Sequence, residues 1–231
     1  MKRELLDALA EGRAREAELE SLCVDGPVDS LGRWSARDHI FHLAWWRDRN
    51  ARLMSAVRTG SELPPPLEDD DQNAIIYTSG RHRPAADVRA VARDSWDRLA
   101  AAVEACSEDD LIRPHPYATD RRLWESVPGN GHGHVAEHLM FWHLELGDEK
   151  SAEAAQVWAH DLNRDLAPDP AHRAYADYNL ACFYGRVGRA DKAAPLLRES
   201  LKARPELVAQ ARKDKDLDLI RTSDKMRELL G

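Results

Sequence analysis

No run of apolar residues in this 231-residue chain approaches the roughly 20 that a membrane-spanning helix needs. The opening stretch MKRELLDALAEGRAREAELESL starts basic, but no unbroken apolar segment follows, so it does not read as a secretory signal. Cysteine is scarce. Cys23, Cys106 and Cys182 are odd in number and far apart, with neither a metal-binding spacing nor a disulfide framework. That usage is expected of a soluble protein in a reducing compartment, the cytoplasm. Excess positive charge is also missing, since the formal net charge is -8. A nucleic-acid binder wants a basic face, so the expected partner is a small molecule, with no nucleic acid and no membrane. Finally, no segment alternates with period two for long enough to read as a strand.

Helical periodicity is what the chain does have. Residues 2–22 carry Leu5, Leu9, Leu19 and Leu22 on one stripe, with Gly12 as the weak point. DGPVDSLGR breaks this helix. Ser35 then reads as an N-cap, with Asp38 three residues on as in a capping box. Ile40, Leu43, Trp46, Leu53, Met54 and Val57 recur at helical spacing behind it. The proline and acid run in TGSELPPPLEDDDQ reads as an exposed loop. A third helix is expected from about Pro84 to Cys106, with Val88, Val91, Ala92, Ser95, Leu99 and Ala102 buried and Cys106 in the core. SEDDLIRPHPYATDRRLWESVPGN is expected to connect it, with a short helical turn at most, to a fourth helix starting after GNG. The fold class is therefore all-α, with residues 1–147 forming a four-helix bundle.

Residues 148–231 differ in style and in charge. The first 150 residues carry 19 basic and 28 acidic side chains, the last 81 carry 14 and 13. In YNLACFYGRVGRADKAAPLLRESLKARP, Ala181, Tyr184, Gly188, Ala193, Leu197, Ser200 and Pro205 resemble one tetratricopeptide repeat. The early tryptophan is missing and Pro195 falls inside the second helix. Gly147 and Ala152 have the separation of an earlier, degenerate unit. A lone repeat cannot bury its own apolar face. The segment is therefore expected to dock on the bundle, a second copy or a protein partner, and DKDLDLIRTSDKMRELL reads as its capping helices.

The densest chemistry is in GNGHGHVAEHLMFWH, residues 129–143, with four histidines. His134 and His138 are four apart, so on a helix they share a face. Two imidazoles so placed can reach one ion, but a third ligand must come from elsewhere. His42 on the second helix is the candidate, and His39, one turn earlier, can substitute. Ordinary packed histidines are the competing reading. HVAEH also matches the inverted zinc-protease motif, with Glu137 as general base, but the chain is small and helical for such an enzyme. Glu137, Glu145 and Asp38 are candidates to orient the ligating rings. His115 and His132 read as structural, with His132 an alternative ligand. Trp45, Trp46 and Trp142 are candidates to line a substrate pocket, and Asn73 and Tyr77 to set hydrogen bonds at its mouth.

The order W-S-x-x-D-x-x-x-H-L (Trp34 to Leu43), N-x-x-x-Y (Asn73 and Tyr77), then GN and H-x-x-x-H resembles the DinB-like four-helix bundles, most of all their ClbS/DfsB branch. That resemblance covers roughly residues 1–147. It implies a divalent-metal site of His42, His134 and His138, holding zinc, nickel, iron or manganese. It also implies a hydrolase or transferase acting on a small electrophilic molecule in detoxification or self-resistance, and often a homodimer. A non-catalytic module that sequesters a ligand or docks a protein through the carboxy-terminal helices is the alternative.

Overall fold

The computed structural model describes residues 1–26, 33–67 and 69–231, with the side chains of residues 69, 70 and 119 left aside. Most of the connection expected after the first helix, residues 27–32, lies outside the described residues, as does Glu68 of the acidic run. Among the described residues the fold is all-α apart from one short hairpin, and the chain divides into two compact units, Met1–Trp142 and His143–Gly231. Among the described residues, no helix is long and apolar enough to cross a membrane.

In the first unit four long helices carry the core: α1 (Lys2–Ser21), α2 (Ala36–Thr59), α4 (Ala85–Ala105) and α7 (His132–Glu145, its last residues continuing into the second unit). Ser35 caps α2 as expected. Its side chain and the Asp38 carboxylate each take the other's backbone N–H, which satisfies two donors at the helix start. Gly60, at φ 71°, ends α2. Pro84 stands one residue ahead of α4, as its N-cap rather than in its first turn.

The structure departs from the sequence reading in four further places. The acidic stretch is no loop throughout, because α3 (Asp69–Gly80) begins within it. Acidic residues in the first turn of a helix complement its dipole, which a loop assignment overlooks. The long connection before α7 holds α5 (Glu108–Leu111), a hairpin of β1 (Pro114–His115) and β2 (Ala118–Arg122), and α6 (Ser126–Asn130). Its strands are too short to show a period. Leu22 lies beyond the end of α1 and is 47% exposed. Gly12, lastly, is no defect of α1. A Cβ there would stand 3.0 Å from the Trp96 ring and 3.1 Å from the His132 Cα. Its bare backbone is what lets α1 pass Trp96 and the start of α7.

One turn along α1 from Gly12, Glu16 is buried against Arg47 of α2. Arg47 donates from both terminal nitrogens to the two Glu16 oxygens, at 2.5 and 2.8 Å. Trp96 Nε1 donates to the same carboxylate at 3.1 Å, and Arg47 Nε donates to Ser95 Oγ at 3.0 Å. The guanidinium also lies over the Trp96 ring, 4.0 Å from its centroid. Three helices thus converge on one ion pair whose members are 0% and 1% exposed. Apolar side chains fill the space around it, with Leu5, Ile40, Leu43, Leu53, Val88 and Leu99 all buried, and Cys106 buried at the end of α4.

The second unit holds α8 (Glu149–Leu166), α9 (Pro170–Arg186), α10 (Ala190–Ala203), α11 (Leu207–Ala211) and α12 (Asp224–Leu230). Gly188, at φ 75°, makes the turn between α9 and α10. The small residues Ala181 and Ala193 are 0% exposed, and Ser200 Oγ donates to the Ala174 carbonyl at 2.8 Å. Helix α10 continues through Pro195. Buried Asp177 ties α9 to α8, accepting from Arg164 at 2.6 Å and meeting His160 Nε2 at 2.9 Å.

Removing one member of a buried ion pair strands the other, at a cost of about 3–5 kcal/mol. Glu16→Gln is therefore expected to destabilise the first unit by roughly that amount, read from urea unfolding followed by tryptophan fluorescence. The double variant Glu16→Leu/Arg47→Met should cost clearly less than the sum of its singles. A Glu16→Gln midpoint equal to wild type would show that the pair carries no such weight.

Candidate metal centre

Helix α2 carries His39 and His42 one turn apart, and α7 carries His134 and His138 at i and i+4. Each pair lies on one helix face, and the two faces meet. His42 Nε2 and His134 Nε2 are 3.2 Å apart. One nitrogen from each of His42, His134 and His138 lies within 4.8 Å of the other two. Ligands about 2.05 Å from a tetrahedral ion stand roughly 3.3 Å from one another. The spacing therefore suits two imidazoles on a single ion, with the third close by.

The protonation state suits it as well. Burial pushes the His42 pKa down to about 4 and the His134 pKa down to about 3. For His134 the charges of His42 and Arg47 push the same way. His138 lies well below the ordinary range, first through burial and then through His134, His39, His42 and Arg47. Neutral imidazole is the form that binds metal. Nδ1 of His42 and Nδ1 of His134 are buried without a hydrogen-bond partner, so neither ring is committed elsewhere. Three neutral nitrogens converging in a desolvated place fit a divalent ion.

Aromatic rings close the site. Trp34, just ahead of the Ser35 cap, lies 5.1 Å from the His42 ring, 5.4 Å from His39 and 5.8 Å from His138. Tyr77 of α3 stacks on it at 5.5 Å and 8°. The Tyr77 hydroxyl is buried without a partner. Trp46 sits 6.3 Å from His42 and donates its Nε1–H to Asn73 Oδ1 at 3.1 Å, which ties α3 to α2. Trp142 stands edge-on to His39 at 6.0 Å. Trp45 packs on Trp46 at 5.1 Å, one ring further from the histidines.

Trp46, Tyr77 and Trp142 are thus brought to the histidine cluster, Asn73 reaches it through Trp46, and Trp45 stands behind. Trp34 is not among the pocket residues that the sequence suggests, although it is the first letter of the W-S-x-x-D motif. Nothing in its spacing tells a roof from a helix-entry residue. The expected orienting carboxylates are elsewhere. Glu137 and Glu145 are exposed, and Asp38 holds the Ser35 cap through Oδ2 while its Oδ1 is buried without a partner. Exposed Glu137 also leaves the inverted zinc-protease reading without its base. His132 is buried at the start of α7 against Gly12, and His115 lies on β1.

A second convergence, Cys182, Asp214 and Asp216 in the other unit, is saturated by its own partners. Asp214 accepts from the Tyr178 hydroxyl at 2.9 Å and from the Cys182 thiol at 3.6 Å, and Asp216 pairs with Arg186 at 2.5 Å. Burial, with Asp214 and Asp216 beside it, pushes the Cys182 thiol up, so it stays protonated and a poor ligand.

A helical bundle with a desolvated three-histidine cluster between two of its helices defines the class of protein. The family model described as the DinB superfamily matches residues 3–146. The chain belongs to the DinB superfamily. No curated protein and no solved structure matches it significantly.

The depressed histidines couple stability to pH. An unfolded histidine titrates near 6.5, whereas His42 titrates near 4 and His134 near 3 when folded, and His138 is also lowered. Between those values the unfolded chain binds more protons, so stability is full above about pH 6.5 and falls as pH drops toward 4. The metal-free protein is expected to melt roughly 5 °C or more lower at pH 5 than at pH 7, with His134→Gln flattening that dependence. An identical slope in the variant would argue against it.

Proposed function

We propose that the protein binds one divalent metal ion through His42, His134 and His138. With it, the protein acts on a small electrophilic molecule as a hydrolase or transferase, in detoxification or self-resistance of the ClbS/DfsB kind. The 3.2 Å approach of two imidazole nitrogens from separate helices, with a third beside them, carries this reading. Membership of the DinB superfamily, commonly metal-binding, supports it.

The chain's own residues have distinct tasks. The three rings would hold the ion, and their burial keeps them unprotonated at neutral pH. A bound ion there supplies Lewis acidity, which polarises an electrophile and brings the acidity of water toward neutral pH. Imidazole alone does not choose among zinc, nickel, iron and manganese. Trp34, Tyr77, Trp46 and Trp142 exclude bulk water and offer flat faces to a planar substrate. The unpartnered Tyr77 hydroxyl is available to donate to a substrate oxygen.

A second reading is a ligand-sequestering or protein-docking module built on the tetratricopeptide-like carboxy-terminal segment. The close α9–α10 pairing around Gly188 favours it. Homodimer formation belongs with either reading.

Elemental analysis of untagged, full-length protein is expected to find about one divalent ion per chain. His138→Ala should lose it, and should also lose turnover of whichever epoxide, cyclopropane or thiol-acceptor substrate the wild type consumes. A His138→Ala variant that keeps its metal would remove the triad. Bound metal with every electrophile untouched would favour the module.

A further inference from the structure

His39 makes the shortest contact in the cluster, with its Nδ1 2.6 Å from Nδ1 of His138. Two ligands on one ion stand about 3.3 Å apart in tetrahedral geometry and about 2.9 Å apart in octahedral geometry. A separation of 2.6 Å is too short for either, and two ring nitrogens approach this closely only with a hydrogen between them. His39 is also absent from the set of nitrogens that converge within 4.8 Å. We propose that His39 is the positioning residue of the metal centre, a neutral imidazole that accepts the Nδ1–H of His138 and so presents His138 Nε2 to the ion. This rests on the metal-binding reading above.

The hydrogens follow from counting. A neutral imidazole has one N–H and one lone pair. If His138 gives its Nε2 lone pair to a metal, its hydrogen is on Nδ1 and points at His39. His39 Nδ1 must then be the acceptor, which places the hydrogen of His39 on Nε2. That nitrogen is buried and has no partner in the protein. The two rings meet nearly at right angles, 81°, with Trp34 and Trp142 packed on His39. Carboxylates and carbonyls are the usual partners of a ligating histidine. Here the expected acids Glu137 and Glu145 are exposed, Asp38 binds the Ser35 cap, and the ring nitrogen that meets His138 Nδ1 is uncharged His39. An uncharged acceptor adds no negative charge to the centre, so the ion keeps more of its acidity than beside a carboxylate.

Cobalt(II) and zinc titrations of full-length protein, with nitrogen-15 NMR of the metal-free wild type, test this. His39→Leu should weaken cobalt affinity about tenfold to a hundredfold and shift the cobalt visible spectrum. His39→Asn, whose amide oxygen can stand where Nδ1 stands, should restore most of both. Wild-type NMR should show His138 protonated on Nδ1 and His39 on Nε2. A His39→Leu protein with wild-type affinity and spectrum overturns the proposal. So does loss as complete as in His138→Ala with no rescue by Asn, which would make His39 a ligand. Should His39→Leu fail to fold, a His138 hydrogen found on Nε2 in the wild type overturns it. Wild type that takes up no metal sinks the metal-binding reading instead, and the NMR result still decides the tautomer.

Discussion

Arg47 and Glu16 are buried together where water cannot solvate either charge, and each is tolerable only beside the other. A pair this constrained admits one axial and rotational setting of α1 against α2, because a slip of one residue would strand both charges. Trp96 and Ser95 extend the constraint to α4, Trp96 by donating to Glu16 and Ser95 by accepting from Arg47 Nε. Gly12 makes the arrangement physically accessible, since any side chain there would push Trp96 and α7 away. Arg47 lies about 140° around α2 from His42. Fixing Arg47 toward α1 and α4 therefore turns His39 and His42 toward α7.

The same arginine reaches the site electrostatically. Its fixed positive charge disfavours protonation of His134 and His138, adding to the larger effect of burial. Desolvation in an apolar protein commonly opposes function, because it penalises charge. Here it selects the neutral form of each imidazole, the form with a lone pair to give. The cost appears as acid sensitivity of the fold. Packing and the protonation state of the clustered histidines thus share one cause, the exclusion of water around them.

Much of the helical frame was legible in the chain, and the reasons are local. The Ser35–Asp38 cap is a short-range pattern with a fixed hydrogen-bond geometry. The stripe of α4 and the turn at Gly188 depend on residues within a few positions of each other. Other features were hidden because their causes are remote in sequence. Gly12 looks like a helix breaker until Trp96 and His132 are seen against it. Acids at the start of α3 look like a loop until a helix supplies the dipole they complement. The hairpin at residues 114–122 is too brief for any periodicity to register.

The candidate site divides the same way. The sequence by itself determined that His134 and His138 share a face, since an i, i+4 spacing on a helix leaves no choice. It also determined which motif order the chain carries, and so which family it resembles. Only the tertiary structure decided that His42 meets them, that His39 Nδ1 meets His138 Nδ1, and that Trp34 covers the cluster. Those facts depend on the rotation of α2 against α7. That rotation is set by packing and by a buried ion pair between residues 31 positions apart, and no local pattern encodes it.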